Sequence, residues 1–215
     1  MPLNIEQYLV KGFDENCTYI CIDTETNEAV LVDPCGDIQT VLKTIPQNIT
    51  ISAVWLTHTH TDHYDGLGAV LAQCGALPIY VQHSGVSALE QSNYANIVAL
   101  SEGDSVTVGN ISITVLHTPG HSLDSICFYY EGDKTTSPCL LSGDTLFVEG
   151  CGRTTPEQAP TLYKSLQRLK KLPVGTHIFP GHDYGSEPHS TLALELEHNR
   201  FLRAKGYDAF YVERF

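Results

Sequence analysis

His58-Thr59-His60-Thr61-Asp62-His63 places four potential metal ligands in six consecutive positions. Before it runs Ile51-Ser52-Ala53-Val54-Trp55-Leu56-Thr57, apolar and β-branched like a buried strand. After it runs Gly66-Leu67-Gly68-Ala69-Val70-Leu71-Ala72, which reads as the start of a helix. Ligands massed where a strand hands over to a helix point to a site at strand ends, where α/β proteins carry their chemistry. In extended backbone, residues i and i+2 face the same way, so His58 and His60 can grip one ion. Asp62 and His63 are neighbours and cannot both keep that direction. At the turn into the helix they can address a second ion.

Three later segments supply further ligands. Leu116-His117-Thr118-Pro119-Gly120-His121-Ser122 follows the alternating stretch Ile111-Ser112-Ile113-Thr114-Val115. Leu140-Leu141-Ser142-Gly143-Asp144-Thr145-Leu146-Phe147 is an apolar strand ending in Gly-Asp, and His177-Ile178-Phe179-Pro180-Gly181-His182-Asp183-Tyr184 ends a short strand in Gly-His. Each candidate sits just past a strand and beside a glycine, which lets the backbone approach a crowded centre.

These motifs resemble the metallo-β-lactamase-fold hydrolases, whose pattern is H-x-H-x-D-H, a later His, a Gly-Asp and a final Gly-His. The resemblance runs from Asp33 to the Ser190 region and implies an α/β fold, a four-layer αββα sandwich. It implies that His58, His60 and His121 bind one metal, that Asp62, His63 and His182 bind a second, and that Asp144 bridges both. Within the superfamily, Gly143-Asp144-Thr145-Leu146-Phe147-Val148-Glu149-Gly150-Cys151-Gly152-Arg153 and His182-Asp183-Tyr184 are similar to glyoxalase II, the hydroxyacylglutathione hydrolases. Glu187-Pro188, Ser190-Thr191-Leu192-Ala193 and Asn199 to Arg203 follow the same likeness.

The chain departs from glyoxalase II where the substrate is held. Gly185 and Ser186 alone stand in place of a helical insertion, the chain given stops at Phe215 without terminal basic residues, and Thr154 and Thr155 replace a tyrosine. The implied activity is hydrolysis of a thioester, an S-2-hydroxyacylglutathione, by a metal-bridging hydroxide. Two divalent ions lower the pKa of a shared water toward ~7 and polarise the carbonyl. Zinc is the expected metal, and the ligand types also suit iron or manganese. Asp62 and Asp144 are the expected catalytic residues. Cys151-Gly152-Arg153-Thr154 also resembles the persulfide dioxygenases of the same fold, which use one iron, so an iron-dependent glutathione persulfide dioxygenase is the alternative. A non-catalytic relic of the fold would lack ligands, and none is missing.

Other residues stay open between two readings. Asp33 and Thr57 are candidates to accept or relay the outer N–H of ligand histidines; Asp33 also reads as a turn residue before Pro34. Arg153 suits a substrate carboxylate or a surface ion pair. Tyr184 suits substrate contact or packing.

Composition sets limits. A chain of 215 residues, 42% hydrophobic, supports one domain spanning 1–215 with a buried core, and a C-terminal helix is expected from about 190. A net charge of -13 argues against nucleic acid; Lys164, Arg168, Lys170 and Lys171 read as the solvated face of a helix. No basic leader precedes an apolar run, and no window reaches the ~18 apolar residues of a membrane span. A cytoplasmic protein with a small-molecule substrate is expected, with no membrane partner and the oligomeric state open. Seven cysteines without a CxxC pair read as core hydrophobes. The N-x-[ST] matches at Asn16, Asn48 and Asn110 carry little weight without a secretion signal. Strands are expected near 18–23, 29–33, 51–57, 78–81, 105–108, 111–117, 125–130, 138–142 and 176–179. Helices are expected near 37–45, 64–74, 83–91, 160–171 and 190–204, with Pro160 opening one and Ser190 capping another.

Overall fold

Alternation in the strands decides the layering. In strand β2 (Cys17–Asp23), Cys17, Tyr19 and Cys21 enter one apolar cluster while Ile20 and Ile22 enter another, so both faces are buried. The same division holds in β4 (Thr50–Trp55), with Ala53 and Trp55 on one side and Val54 on the other. A strand apolar on both faces needs a covering layer on each. The computed structural model, which describes residues 3–10 and 14–215, supplies them.

The first sheet also holds β1 (Leu3–Leu9), β3 (Glu28–Val32), β5 (Ile79–Gln82) and β6 (Ile97–Leu100), in the order β1-β2-β3-β4-β5-β6. The first three are antiparallel and the rest parallel. The second sheet holds β7 (Ser105–Val108), β8 (Ile111–His117), β9 (Ile126–Tyr130), β10 (Cys139–Gly143), β13 (His177–Pro180) and β14 (Ser190–Thr191), in the order β14-β13-β10-β9-β8-β7. The strands β11 (Leu146–Phe147) and β12 (Gly150–Cys151) form a small hairpin beyond β10. Between the sheets, Trp55 stacks on Phe128 at 5.0 Å.

Helices α1 (Ile38–Thr44), α2 (Leu67–Cys74) and α3 (Val86–Gln91) cover the first sheet. Helices α4 (Ala159–Leu169), α5 (Leu192–His198), α6 (Arg200–Arg203) and α7 (Tyr207–Arg214) cover the second. Three apolar clusters thus separate four layers, the αββα sandwich. Leu162, Leu166 and Leu169 of α4 are fully buried, as their spacing requires, and proline stands in its first turn. All seven cysteines are free, and six are buried. Among the described residues, no helix is long and apolar enough to cross a membrane.

The C-terminal region corrects the expected helix over 190–204. Ser190 belongs to β14 and caps nothing; Thr191 accepts from the Leu194 N–H and starts α5 instead. Asn199, extended at φ -71 and ψ 113, then breaks the helix and caps α6 with its own side chain. Besides the two-residue strands β11, β12 and β14, three elements were unexpected: β1, β6 and α7. Strands β1 and β6 lie at the edges of their sheet, where one side of the ladder is unpaired; polar residues interrupt β1, and β6, though apolar throughout, is only four residues long. The helix α7 follows Gly206, at φ 99, which reads as a stop.

Of the basic residues near α4, Lys164 and Lys171 are exposed. Arg168 instead pairs through two nitrogens with Glu102, and Lys170 donates to the Leu202 carbonyl at 2.6 Å. The Arg168 guanidinium, against a smaller opposing effect of burial, holds the Glu102 carboxyl below its usual range. A lowered folded-state pKa means stability that is present at neutral pH and lost as the pH falls through it. Glu102→Gln should therefore cost about 0.5 kcal/mol at pH 7, within the range for exposed pairs. That deficit should close below about pH 4, as chemical denaturation at both pH values would report.

Candidate metal centre

The four segments converge at one end of the sandwich. His58 and His60 follow β4; Asp62 and His63 lie in the single helical turn Thr61–His63; His121 follows β8; Asp144 follows β10; His182 follows β13. His58 Nε2 and His121 Nε2 lie 3.0 and 2.9 Å from His60 Nδ1. His63 Nε2 and His182 Nε2 are 3.2 Å apart, and each is 3.7 Å from Asp62 Oδ2. Asp144 stands between the groups, with Oδ2 3.4 Å from His121 Nε2 and 3.3 Å from His182 Nε2, and Oδ1 3.4 Å from His63 Nε2.

The outer nitrogens explain why the inner ones are free to bind. His63 Nδ1 faces the Asp33 carboxylate at 3.0 Å, an acceptor only, so that nitrogen carries a proton and Nε2 is the atom turned toward the cluster. His182 Nδ1 donates to the Asp14 carbonyl at 2.6 Å, and His121 Nδ1 to the Arg153 carbonyl at 2.9 Å. Thr57 Oγ1 gives its own proton to Asp33 at 2.6 Å and so accepts from His58 Nδ1 at 3.2 Å. With Nδ1 engaged outward, four imidazoles turn Nε2 atoms inward, an arrangement suited to cations. Asp144 Oδ1 is buried and receives no hydrogen bond. Donor atoms about 3.0–3.4 Å apart are the spacing that metal–nitrogen bonds of about 2.0–2.1 Å impose. The residues fit a metal centre: His58, His60 and His121, then His58, His63 and Asp144, then Asp62, His63 and His182 each gather within 4.8 Å.

Electrostatics point the same way. Burial pushes His58 and His121 below the usual imidazole range, keeping them neutral. Burial opposes ionisation of Asp144, but His63 and His182 outweigh it and hold the carboxyl well below its usual range. Burial likewise opposes a charge on His63, and the Asp144 and Asp33 carboxylates override it. The field that retains a proton on His63 would retain a metal cation there.

Two glycines admit this crowding. A Cβ on Gly152 would lie 1.8 Å from the Asp144 carbonyl oxygen, and one on Gly181 would lie 2.3 Å from Asp144 Oδ1 and 2.9 Å from His63 Cε1. Gly181→Ala should therefore displace Asp144 and lower turnover about 100-fold, the cost of a displacement near 1 Å. Metal content measured alongside turnover would show whether the site was disrupted.

A cavity of about 180 Å³ opens over the cluster, lined by Asp14, His60, Asp62, Asp144, Phe147, Arg153, His182 and Tyr184. Tyr184 stacks on the His182 ring at 4.8 Å and donates to Asp14 Oδ2. It is 46% exposed, so it is not core packing. Arg153 uses its carbonyl for His121, while the exposed residue's side chain lines the cavity. Asp33 and Thr57 lie beneath the ligands, 1% and 2% exposed. Asp33 is more than a turn residue: it accepts from the Thr57 N–H and hydroxyl and from His63.

Four residues at the site escaped the sequence. Asp124 accepts from the Thr59 N–H at 2.8 Å and hydroxyl at 2.7 Å, fixing the link between His58 and His60. Asp14 and Phe147 wall the cavity, and Asn16 donates to Asp62 Oδ2 at 3.0 Å. Only the N-x-T pattern drew attention to Asn16, and its complete burial rules out that reading in the folded chain. Phe147 lies within the Gly143–Arg153 segment without being singled out; Asp14, Asn16 and Asp124 carry no spacing signal, because each meets its partner across the fold.

Residues 10–182 match the metallo-beta-lactamase superfamily model. The hydroxyacylglutathione hydrolase of Hahella chejuensis is 37% identical over 177 residues, covering 81% of this chain; the chain spans 64% of that relative's length. The probable polyketide biosynthesis zinc-dependent hydrolase BaeB of Bacillus velezensis is 29% identical, with 98% of this chain and 93% of that protein covered. The crystal structure of ETHE1 from Myxococcus xanthus superposes with a TM-score of 0.82 at 32% identity, covering 96% of this chain and 88% of that one. From the end of β1 to His182, the span that carries the whole His and Asp cluster, this chain belongs to the metallo-beta-lactamase superfamily.

Proposed function

We propose that this chain is a two-metal hydrolase that cleaves a thioester, with a glutathione-linked 2-hydroxyacyl group as the first substrate to test. The observation that carries the two-metal reading is Asp144, a buried carboxylate whose two oxygens reach His63 on one side and His121 and His182 on the other. His58, His60 and His121 would hold one ion, Asp62, His63 and His182 the other, and Asp144 both. Bound there, divalent ions would supply hydroxide at neutral pH and polarise the substrate carbonyl. The donor set suits zinc and also iron or manganese; the zinc-dependent relative supports zinc. The thioester reading draws on the hydroxyacylglutathione hydrolases, whose greater length leaves the thiol portion as part of the proposal.

The chain's own residues divide the remaining work. Asp62, 30% exposed at its side chain, faces the cavity and orients the nucleophile. Arg153 takes a substrate carboxylate, and Tyr184 and Phe147 form the wall against which the thiol portion lies. A thiolate leaves without a strong acid, so the cavity needs none.

The second reading, an iron-dependent persulfide dioxygenase, draws on the Cys151-Gly152-Arg153-Thr154 segment and the likeness to ETHE1. Elemental analysis with turnover of S-lactoylglutathione tests both. About two ions per chain with thioester turnover supports the hydrolase. One iron with oxygen uptake on glutathione persulfide sinks it.

A further inference from the structure

We infer that Asn16 is a positioning residue that sets the occupancy of the Asp62–His63–His182 half of the centre and leaves the His58–His60–His121 half unaffected. The inference rests on the metal reading of the cluster. Asn16 is completely buried, and its amide orientation is fixed by its partners. Its Oδ1 accepts from the Asp14 N–H at 3.2 Å, so its NH2 must face the Asp62 carboxylate, where Nδ2 lies 3.0 Å from Oδ2. That oxygen is the one shared with His63 Nε2 and His182 Nε2.

Asp62 needs such a partner more than the other two members of its half do. Its side chain is 30% exposed, against 8% for Asp144 and at most 4% for His63, His121 and His182. Asn16 is its side-chain hydrogen-bond donor, held in the bridge just before β2, so without it the carboxylate can turn toward water.

The segment that presents Asn16 is itself bolted to the second half of the centre. The Cys17 N–H donates to the Gly181 carbonyl at 2.8 Å, and the Asp183 N–H to the Glu15 carbonyl at 2.9 Å. Asn16 and His182 form an isolated antiparallel bridge. Glu15 adopts φ 55, a left-handed conformation costly for a side chain with a Cβ. This turn lets Asp14 offer its carbonyl to His182 Nδ1 while Asn16 offers its amide to Asp62. Two of three ligands in one half thus depend on residues 14–16. The other half is braced elsewhere, by Thr57, Arg153 and the Asp124–Thr59 contact.

The discriminating variant is Asn16→Asp, which keeps the shape and the acceptor for the Asp14 N–H but replaces the donor with a second carboxylate. Purified wild type and N16D, both loaded with zinc, are titrated with a chelator while zinc per chain is measured. Expected is release of one zinc equivalent from N16D at about 10- to 100-fold lower chelator concentration, the usual cost of losing such a contact, with any remaining zinc released as in wild type. Thermal melting of chelated N16D within a few degrees of chelated wild type would separate this from misfolding, and N16A, which lacks the added charge, should show the same selective loss. Release of all zinc from N16D along the wild-type curve would overturn the inference, as would equal weakening of both equivalents. A wild type holding one zinc would refute the two-ion reading instead, and the N16D release curve would still decide the role of Asn16.

Discussion

Asp144→Ala is expected to lower S-lactoylglutathione turnover by about a thousandfold or more, with far-UV circular dichroism unchanged. The reason is positional. One carboxylate meets His121 and His182 through Oδ2 and His63 through Oδ1, so no other residue can replace it for both halves. Its charge also offsets the cost of gathering five imidazoles around cations in a buried site. Asp144→Asn separates these contributions, since it keeps the shape and removes the charge; it should bind less metal than wild type and remain folded. His60→Ala should abolish turnover too, and at little cost in stability, because His60 is exposed. Near-normal turnover in either alanine variant, measured at full metal loading, would contradict the ligand set.

Asp33→Ala should be the most destabilising of the single changes considered, by about 3–5 kcal/mol. Asp33 is 1% exposed, and its carboxylate accepts from Thr57 N at 2.8 Å, Thr57 Oγ1 at 2.6 Å and His63 Nδ1 at 3.0 Å. Alanine would leave all three donors buried without an acceptor. It would also occupy φ 48, a left-handed conformation that aspartate and asparagine tolerate better than alanine. Domains of this size lose about 2–4 °C in Tm for each kcal/mol, so thermal melting of chelated protein should fall by roughly 10 °C. The loss should reach the metal site as well, because His63 loses the partner that fixes its ring and Thr57 loses the one that aligns it for His58. Asp33→Asn should recover part of the stability and less of the metal affinity. A melting temperature for Asp33→Ala within 2 °C of wild type would remove Asp33 from the framework, 2 °C being about 1 kcal/mol here.

The candidate ligands were legible because they are local. His58 to His63 lie within one strand-to-helix turn, and His121, Asp144 and His182 each follow an apolar strand directly. Strands buried on both faces announce themselves by continuous apolar content, as β2 and β4 do. The edge strand β1 does not, since Asn4, Glu6 and Gln7 interrupt its apolar residues, and β6, apolar from Ile97 to Leu100, is too short for its periodicity to tell a strand from a helix segment. The expected helix over 190–204 failed for a related reason. Its helical apolar spacing is real, but Thr191 and Asn199 bind nearby backbone N–H groups and divide the segment into separate capped pieces.

The sequence by itself located the cluster of His and Asp side chains, because that rests on side-chain type and on spacing over a few residues. It indicated the layered fold only through the motifs that resemble a known family. Tertiary structure alone decided how the ligands are held and what they face. Asn16 reaches Asp62 across 46 positions, Asp124 reaches Thr59 across 65, and the Asp14 carbonyl reaches His182 across 168. A hydrogen bond requires two groups within about 3 Å, and separation along the chain says nothing about that distance until the sheets have packed.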